Sequence, residues 1–497
     1  MSLTQKIELP TVTYEQPLGL FINNEFVKGE KGQTIDVINP ATEEVITKVH
    51  EATKEDVDRA VKVARETYNK VWKDTTANER GRLLFKLADL IERDLLILAS
   101  IESLDNGKSI SMAKGDVAAV AGCIRYYAGW ADKIHGKVVE TDAHKFNYTK
   151  IEPIGVVGQI IPWNFPLLMF AWKIGPALAT GNTVVLKTAE QTPLSALYAA
   201  KLVKEAGFPA GVLNVLSGYG KTAGQAIAEH MDIDKIAFTG STGVGREILK
   251  ASANSNLKKV TLELGGKSPN VVFADADIEA AIDWANFGVF FNHGQTCCAG
   301  TRIFVQETIY DKFIETFKAK AEKNAVGDPF HDKTFQGPQV SKVQFDRIMG
   351  YIDQGKECGA KLVCGGGRKG DKGYFIEPTI FADCKADMTI MKEEIFGPVA
   401  AIAKFKDIDD LVHMANDTSY GLAAGVHTKD LKTAITVADK LKAGTVWINQ
   451  YNALHHALPF GGYKESGIGR ELGKAALANY TQVKTVSINL EGHPSGW

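Results

Sequence analysis

No stretch of this 497-residue chain is long and apolar enough to read as a membrane span. Its most apolar run, Gly155 to Gly181, is interrupted by Pro162, Asn164, Pro166 and Lys173. That leaves no unbroken segment of the roughly 18 residues a bilayer requires, and a buried strand, turn and helix is the better reading. Cysteine is scarce: six, at positions 123, 297, 298, 358, 364 and 384, too few to staple a chain of this size. None falls in a CxxC pair and no histidine sits at zinc-finger spacing from them, so no metal site is expected. Charge of either sign is not in excess: 57 Lys and Arg stand against 59 Asp and Glu, a net charge of -2. Such a balance offers no electrostatic footprint for nucleic acid and no basic run for an anionic membrane. The first twenty residues lack arginine and carry two glutamates and two prolines, unlike a secretory signal or a transit peptide. The expected setting is the cytoplasm.

What is present is a globular composition, 45% apolar and 23% charged, in a chain long enough for two to four domains. The N-terminal part reads as helical after a short strand-like opening, Gly19 to Val27. Thr53 to Asp56 forms a capping pattern for a helix beginning near Lys54. Leu84, Leu87, Ile91, Leu95 and Leu98 recur at spacings of three and four, one face of an amphipathic helix. From Gly155 the pattern changes. Short β-branched runs, Gly155–Ile161, Thr183–Lys187, Val212–Leu216, Lys235–Phe238 and Val260–Leu264, alternate with helical stretches and predict a parallel, doubly wound sheet. Ligands of such sheets sit at the carboxyl ends of the strands. Those ends carry Trp163-Asn164, Lys187, Gly218, Thr239-Gly240 and Glu263. A second α/β region follows from about residue 270 to 450, ending in the strand-like Gly444–Asn449. The glycine-rich Pro459–Arg470 reads as loop and Val483–Leu490 as an edge strand. No internal repeat is visible.

Several groups are suited to chemistry. Gly240-Ser-Thr-Gly-Val-Gly245 follows a strand and opens a helix, where bare backbone N–H groups favour a phosphate; a structural turn explains the same glycines. Its spacing is GxxGxG and not the GxGxxG of ordinary dinucleotide folds. Gly218-Tyr-Gly-Lys-Thr222 resembles a P-loop fragment, but the leading glycine of that motif falls on Val215, which argues against nucleotide hydrolysis. Cys297, in Gly294-Gln-Thr-Cys-Cys298, lies in a polar turn, whereas most cysteines are small core residues. His293 is close in sequence, but proximity alone makes no cysteine–histidine dyad. Glu263 ends an apolar strand: it is either solvated at the rim or a desolvated carboxylate with a raised pKa, fit for general-base work. Asn164, in Pro162-Trp-Asn-Phe-Pro166, is an uncharged donor on a stiff turn, suited to an oxyanion and equally to an ordinary turn.

Together with Lys187-Thr-Ala-Glu190, Glu263-Leu-Gly-Gly-Lys267, Glu393-Glu-Ile-Phe-Gly-Pro398 and Pro459-Phe-Gly-Gly-Tyr-Lys464, these motifs stand in the order and spacing of the aldehyde dehydrogenase superfamily. The chain resembles its tetrameric general-purpose members, fungal cytosolic ones among them, from about Leu20 to Ser487. The resemblance implies a Rossmann-like dinucleotide-binding domain (1–132 and 156–265), a second α/β catalytic domain (266–472) and a small β oligomerisation element (133–155 and 473–497). It implies that Cys297 attacks an aldehyde, that Asn164 and the Cys297 N–H hold the oxyanion, and that Glu263 activates the water that releases the acid. Lys173 and Glu471 match a proton relay. Lys187 and Glu190 match contacts to the adenosine ribose, Ser241 to the pyrophosphate, and Gln344, Glu394 and Phe396 to the nicotinamide half. Ile161, Trp163, Gly220, Phe238, Gly240, Gly245 and Leu264 complete the expected cofactor surface. Phe165, Met169, Trp172, Phe291, Thr296, Cys298, Leu454 and Phe460 match a substrate tunnel, each with plain core as its alternative. An apolar, aromatic tunnel favours small to medium uncharged aldehydes such as acetaldehyde. Position 296 is Thr296, where many relatives carry cysteine. Glu190 favours NAD by repelling a 2′-phosphate, while Lys187 leaves room for NADP. A homotetramer is the expected assembly.

Three rivals share these residues. A cofactor-independent thioester hydrolase or acyltransferase leaves the 240–245 glycines and Glu394 without use. A catalytically silent, crystallin-like relative has no need of Cys297, Glu263 and Asn164. A CoA-acylating relative tends to lack the glutamate at position 263.

Overall fold

The structure is a computed structural model describing residues 2–491. Residue 1 and residues 492–497, the latter the end of the expected oligomerisation element, lie outside the described residues. Two large sheets and a small one organise the chain. The first runs Gly467–Ile468, Lys259–Glu263, Lys235–Thr239, Val156–Ile160, Thr183–Thr188, Leu213–Ser217, Leu20–Ile22, Glu25–Val27. Its five central strands are parallel, and the flanking short strands pair antiparallel. The chain enters at Val156–Ile160, winds outward through Thr183–Thr188 and Leu213–Ser217, then returns to the other side through Lys235–Thr239 and Lys259–Glu263. The winding direction therefore reverses beside Val156–Ile160, and its carboxyl end, Ile161 to Asn164, opens the crevice where such sheets take ligands.

The second sheet runs Lys361–Cys364, Thr379–Ala382, Val399–Phe405, Arg302–Gln306, Pro269–Val272, Ala423–His427, Thr445–Ile448 and is parallel except at its first pair. The third is antiparallel, Thr481–Asn489 against Lys145–Pro153 against Val138–Val139, with Thr481–Asn489 at its edge. Among the described residues no helix is long and apolar enough to cross a membrane. The apolar run Gly155–Gly181 folds as a buried strand and the helix Pro166–Ala179, with Pro166 at the first helical position, where its missing N–H costs nothing.

Three expectations need correction. The N-terminal part is not mainly helical after one strand: six strands precede the first helix among the described residues, including the hairpin Thr34–Asn39 with Glu44–His50. Ile35, Val37, Thr47 and Val49 are buried at alternate positions, the period of a strand. The leucine stripe from Leu84 to Leu98 belongs to two helices, Ala77–Arg93 and Leu95–Asp105, divided at Asp94. The Asp94 carboxylate accepts from the Arg93 guanidinium at 2.7 Å and from the Tyr198 hydroxyl at 3.0 Å, which favours the break. Finally, the glycine-rich 459–470 segment is not all loop, because Gly467–Ile468 pairs with Leu262 and Glu263 at the edge of the first sheet.

The helix Lys54–Lys70 starts where the capping pattern places it. The buried Asp56 carboxylate accepts from the Thr53 N–H at 3.0 Å, the Glu30 N–H at 3.2 Å and Arg59 at 2.9 Å. Asp56→Ala strands these donors and removes a charge-assisted cap, a loss of about 2–3 kcal/mol. Calorimetry is expected to show a melting temperature several degrees lower; an unchanged one contradicts this account.

Candidate active site

Glu263 is the last residue of its strand, so its side chain projects past the sheet while remaining 2% exposed. Its Oε1 has no hydrogen-bond partner. Burial pushes its carboxyl up to about 8, against the opposing pull of the Lys173 ammonium and the Cys297 thiol. Cys297 lies in the turn beyond the helix Ile278–Phe290 and is half-buried. The neighbouring Cys298 thiol, burial and the Glu263 carboxyl hold the Cys297 thiol well above its ordinary value. Asn164 is 5% exposed. Its Nδ2 donates to the Gln295 carbonyl at 2.9 Å, which leaves the second N–H of that amide without a protein acceptor among the described residues. The Cys297 backbone N–H likewise has no acceptor among them.

These three side chains share one cavity of about 420 Å³. Every expected tunnel residue is on its wall. The turn and helix after Ile161 place Phe165, Met169 and Trp172 on one face at helical spacing. Phe165 stacks on Phe291 with centroids 5.9 Å apart, and Trp172 meets Phe460 edge-on at 5.5 Å. Thr296 and Cys298 flank the thiol, and Leu454, 41% exposed, stands at the mouth.

Trp163, Gly240, Ser241, Leu264, Gln344, Glu394 and Phe396 form the other arm of the cavity. Trp163 and Phe396 meet edge-on at 5.2 Å. Glu394 accepts from the Gly266 N–H at 3.0 Å, and burial pushes its carboxyl up to about 7. Ser241 caps the helix Thr242–Asn254. A Cβ on Gly245 would fall 2.8 Å from Leu264 Cδ2, and one on Gly240 2.5 Å from the Phe238 ring, so neither position has room for a side chain. The buried oxygens Thr239 Oγ1 and Gln344 Oε1 find no protein partner.

Ile161, Lys187, Glu190, Gly220, Phe238 and Gly245 are not on the cavity wall; they line the carboxyl edge of the first sheet beyond it. The Ile161 N–H donates to the Lys187 carbonyl at 3.1 Å, and Lys187 Nζ lies 3.5 Å from Glu190 Oε2. Burial lowers the Lys187 ammonium. Gly220 opens the short helical turn Gly220–Gly224. Lys173 and Glu471 are also off the wall, as a buried ion pair behind Glu263, with Glu471 Oε2 unpartnered. His293 takes no place in the cavity. It is buried, faces Gln295, and burial holds its imidazole at about 3. Among the described residues no group of three or more His, Cys, Asp or Glu is placed to hold a metal ion.

The wall also holds residues that sequence reasoning missed: Asp116, Leu168, Phe287, Arg347 and Asn452. Phe287 precedes Phe291 by one helical turn, a signal that was available. Asp116 pairs with the buried Lys108, whose ammonium lies 4.4 Å from the centre of the Phe165 ring, and nothing local in sequence announces that contact.

Known proteins resemble this chain over nearly its whole length. The model for the Aldehyde dehydrogenase family matches residues 26–486. An aldehyde dehydrogenase of Davidiella tassiana is 69% identical over 477 residues, 96% of each chain. The mitochondrial aldehyde dehydrogenase of Homo sapiens is 58% identical over 474 residues, 95% of this chain and 92% of that one. Among solved structures, the NAD+ complex of an aldehyde dehydrogenase from Bacillus cereus superposes with a TM-score of 0.94 at 53% identity, covering 95% of this chain and 97% of the other. With a family match across most of its length and relatives this similar from end to end, the chain belongs to the aldehyde dehydrogenase family and oxidises aldehydes with a nicotinamide dinucleotide.

Proposed function

We propose that the enzyme converts small to medium, uncharged aldehydes such as acetaldehyde to their carboxylic acids, with NAD as the favoured dinucleotide and water as the acyl acceptor. One observation carries this reading: a thiol, a carboxylate held near neutrality and an uncharged amide face one cavity with an aromatic arm. In this reading the Cys297 sulfur attacks the carbonyl carbon while Glu263 takes the thiol proton. The thiohemiacetal oxygen is held by Asn164 Nδ2–H and the Cys297 N–H. A bound nicotinamide dinucleotide supplies the hydride acceptor that lets the sulfur-bound carbon become a thioester. Glu263, its proton passed outward through Lys173 and Glu471, then removes a proton from water. The hydroxide oxygen bonds to the acyl carbon, the C–S bond breaks, and the acid leaves.

The second arm fits a dinucleotide on its own features, the side-chain-free glycines and the unpartnered oxygens of Thr239 and Gln344. Ser241 and the helix it caps would hold the pyrophosphate, Lys187 and Glu190 the adenosine ribose, and Gln344, Glu394 and Phe396 the nicotinamide half. On this account the first sheet is the cofactor domain, the second the catalytic domain, and the three-stranded sheet the oligomerisation element of a homotetramer. Val138 and Val483 on that small sheet are 72% and 67% exposed, apolar surface suited to a second copy. A cytoplasmic, reducing setting is supported by six unpaired thiols.

Initial rates with acetaldehyde are expected to be higher with NAD than with NADP, to converge in Glu190→Gln, and to vanish in Cys297→Ala. A strong NADP preference in the parent overturns the role of Glu190, and undiminished turnover in Cys297→Ala overturns the reaction scheme.

Because Glu263 is held at about 8, its basic form is the minor one at pH 7 and grows as pH rises. The parent kcat should therefore climb through pH 8 and level above it, and Glu263→Gln should lose that limb. A parent profile flat from about pH 6 to 9 contradicts the assignment.

Asn164→Ala should lower kcat by about 100- to 1000-fold, the usual effect of one lost oxyanion donor, about 2.7–4 kcal/mol. A shift of one unit in the Cys297 pKa is worth only about 1.4 kcal/mol. Parent-like turnover in Asn164→Ala would show that the amide does not serve the transition state.

A further inference from the structure

The turn that carries Asn164 does not by itself aim the Asn164 amide. The side chain of Asn292, 1% exposed, lies between two backbone carbonyls. Its Nδ2 donates to the Asn164 carbonyl at 3.0 Å and to the Gln295 carbonyl at 3.2 Å. The Gln295 carbonyl is also the acceptor for Asn164 Nδ2 at 2.9 Å. Asn292 thus grips both the backbone of Asn164 and the oxygen that directs its side chain. Two carbonyls facing one amide fix its orientation, since turning Asn292 Oδ1 toward them would set three acceptors together. Asn292 itself is not on the cavity wall.

Two local features mark this turn. Asn292 and His293 adopt φ values of 49° and 61°, consecutive left-handed residues ahead of Gly294 at 71°. Asn292 Oδ1 is buried without a partner. The turn cannot relax elsewhere. A Cβ on Gly294 would fall 2.0 Å from the Gly397 carbonyl oxygen, and Gln295 Oε1 is taken by the Val340 N–H at 3.0 Å. A constrained turn and a buried oxygen without a partner contribute to neither packing nor solubility. What they secure is the placement of one amide.

We propose that Asn292 is a positioning residue for aldehyde oxidation, setting the direction of the Asn164 N–H that faces the developing oxyanion. The inference rests on the reading of Asn164 as that donor. Asn292→Gly separates the two contributions of the residue, because glycine adopts the left-handed backbone freely and removes only the amide. The full-length enzyme carrying Asn292→Gly is expected to lose roughly 10- to 100-fold in kcat, the scale of an ångström-sized misplacement. The KM for acetaldehyde and the binding of NADH, followed by its fluorescence, should change less than about threefold. The double variant Asn164→Ala/Asn292→Gly should turn over no more slowly than Asn164→Ala alone. Asn292→Asp, of the same shape but without the donor, should repeat the kcat loss and serves if the glycine variant does not fold. Parent-like kcat in Asn292→Gly with a lowered melting temperature overturns the proposal, as do fully additive losses in the double variant. Parent-like turnover in Asn164→Ala overturns the oxyanion reading and this inference with it. A slow Asn164→Ala beside a parent-like Asn292→Gly overturns the positioning role alone.

Discussion

The site depends on one close approach of backbones. The turn after Glu263 presses against the turn that carries Cys297: a Cβ on Gly266 would lie 2.6 Å from the Cys297 carbonyl oxygen. The adjacent Gly265 has no room either, because its Cβ would fall 2.3 Å from Glu394 Oε2. Two glycines in succession therefore let the end of the first sheet touch two segments of the second. The abutting main chains of Gly266 and Cys297 bring Glu263 and Cys297 to one cavity. The Ser466 hydroxyl reinforces the joint, donating to the Gly265 carbonyl at 2.7 Å while accepting the Gly421 N–H at 2.9 Å.

Burial around this joint governs the electrostatics of the site. Glu263, Glu394 and Cys297 are all pushed toward their neutral forms, chiefly by burial for the two carboxyls and with the help of Cys298 for the thiol. Ionising all three in one confined space would set like charges together, so each is shifted toward its neutral form. A neutral thiol is a poor nucleophile, which makes a base beside it a requirement of the proposed chemistry. The same burial would strengthen a hydrogen bond offered to the proposed oxyanion. The buried Lys173–Glu471 ion pair lies behind Glu263, and its opposite signs largely cancel at a distance.

Much of the fold was legible because strand and helix periods in this chain are regular. The five parallel strands lie within a residue or so of their hydrophobic runs, and the Thr53 cap marks its helix. The misreadings share a cause: short elements whose stability is tertiary. Gly467–Ile468 is a strand only because Leu262 and Glu263 offer it an edge, and the leucine stripe is cut at Asp94 by partners distant in sequence. At the site, Cys297, Glu263 and Asn164 were legible as unusual residues in unusual places, and the cavity brings all three together. Asn292 was not legible. An asparagine between a phenylalanine and a histidine has no periodicity to betray it, and its meaning lies in two carbonyls, one of them far away in the chain.

Strained backbone occurs both away from the cavity, as at the exposed Leu257 with φ 58°, and beside it. Asparagine and aspartate tolerate a left-handed backbone, so Asn23, Asn24 and Asn449 need little explanation. Phe396 and Leu472, at φ values of 59° and 58°, are bulky residues that do not adopt it readily. Phe396 is on the cavity wall against Trp163, and Leu472 directly follows Glu471. Glu471 and Phe460 exchange N–H to carbonyl bonds in both directions, at 2.7 and 2.8 Å, while Leu472 is 2% exposed. The left-handed turn at Leu472 therefore follows directly on a residue held twice, its backbone paired with Phe460 on the cavity wall and its carboxylate with the buried Lys173.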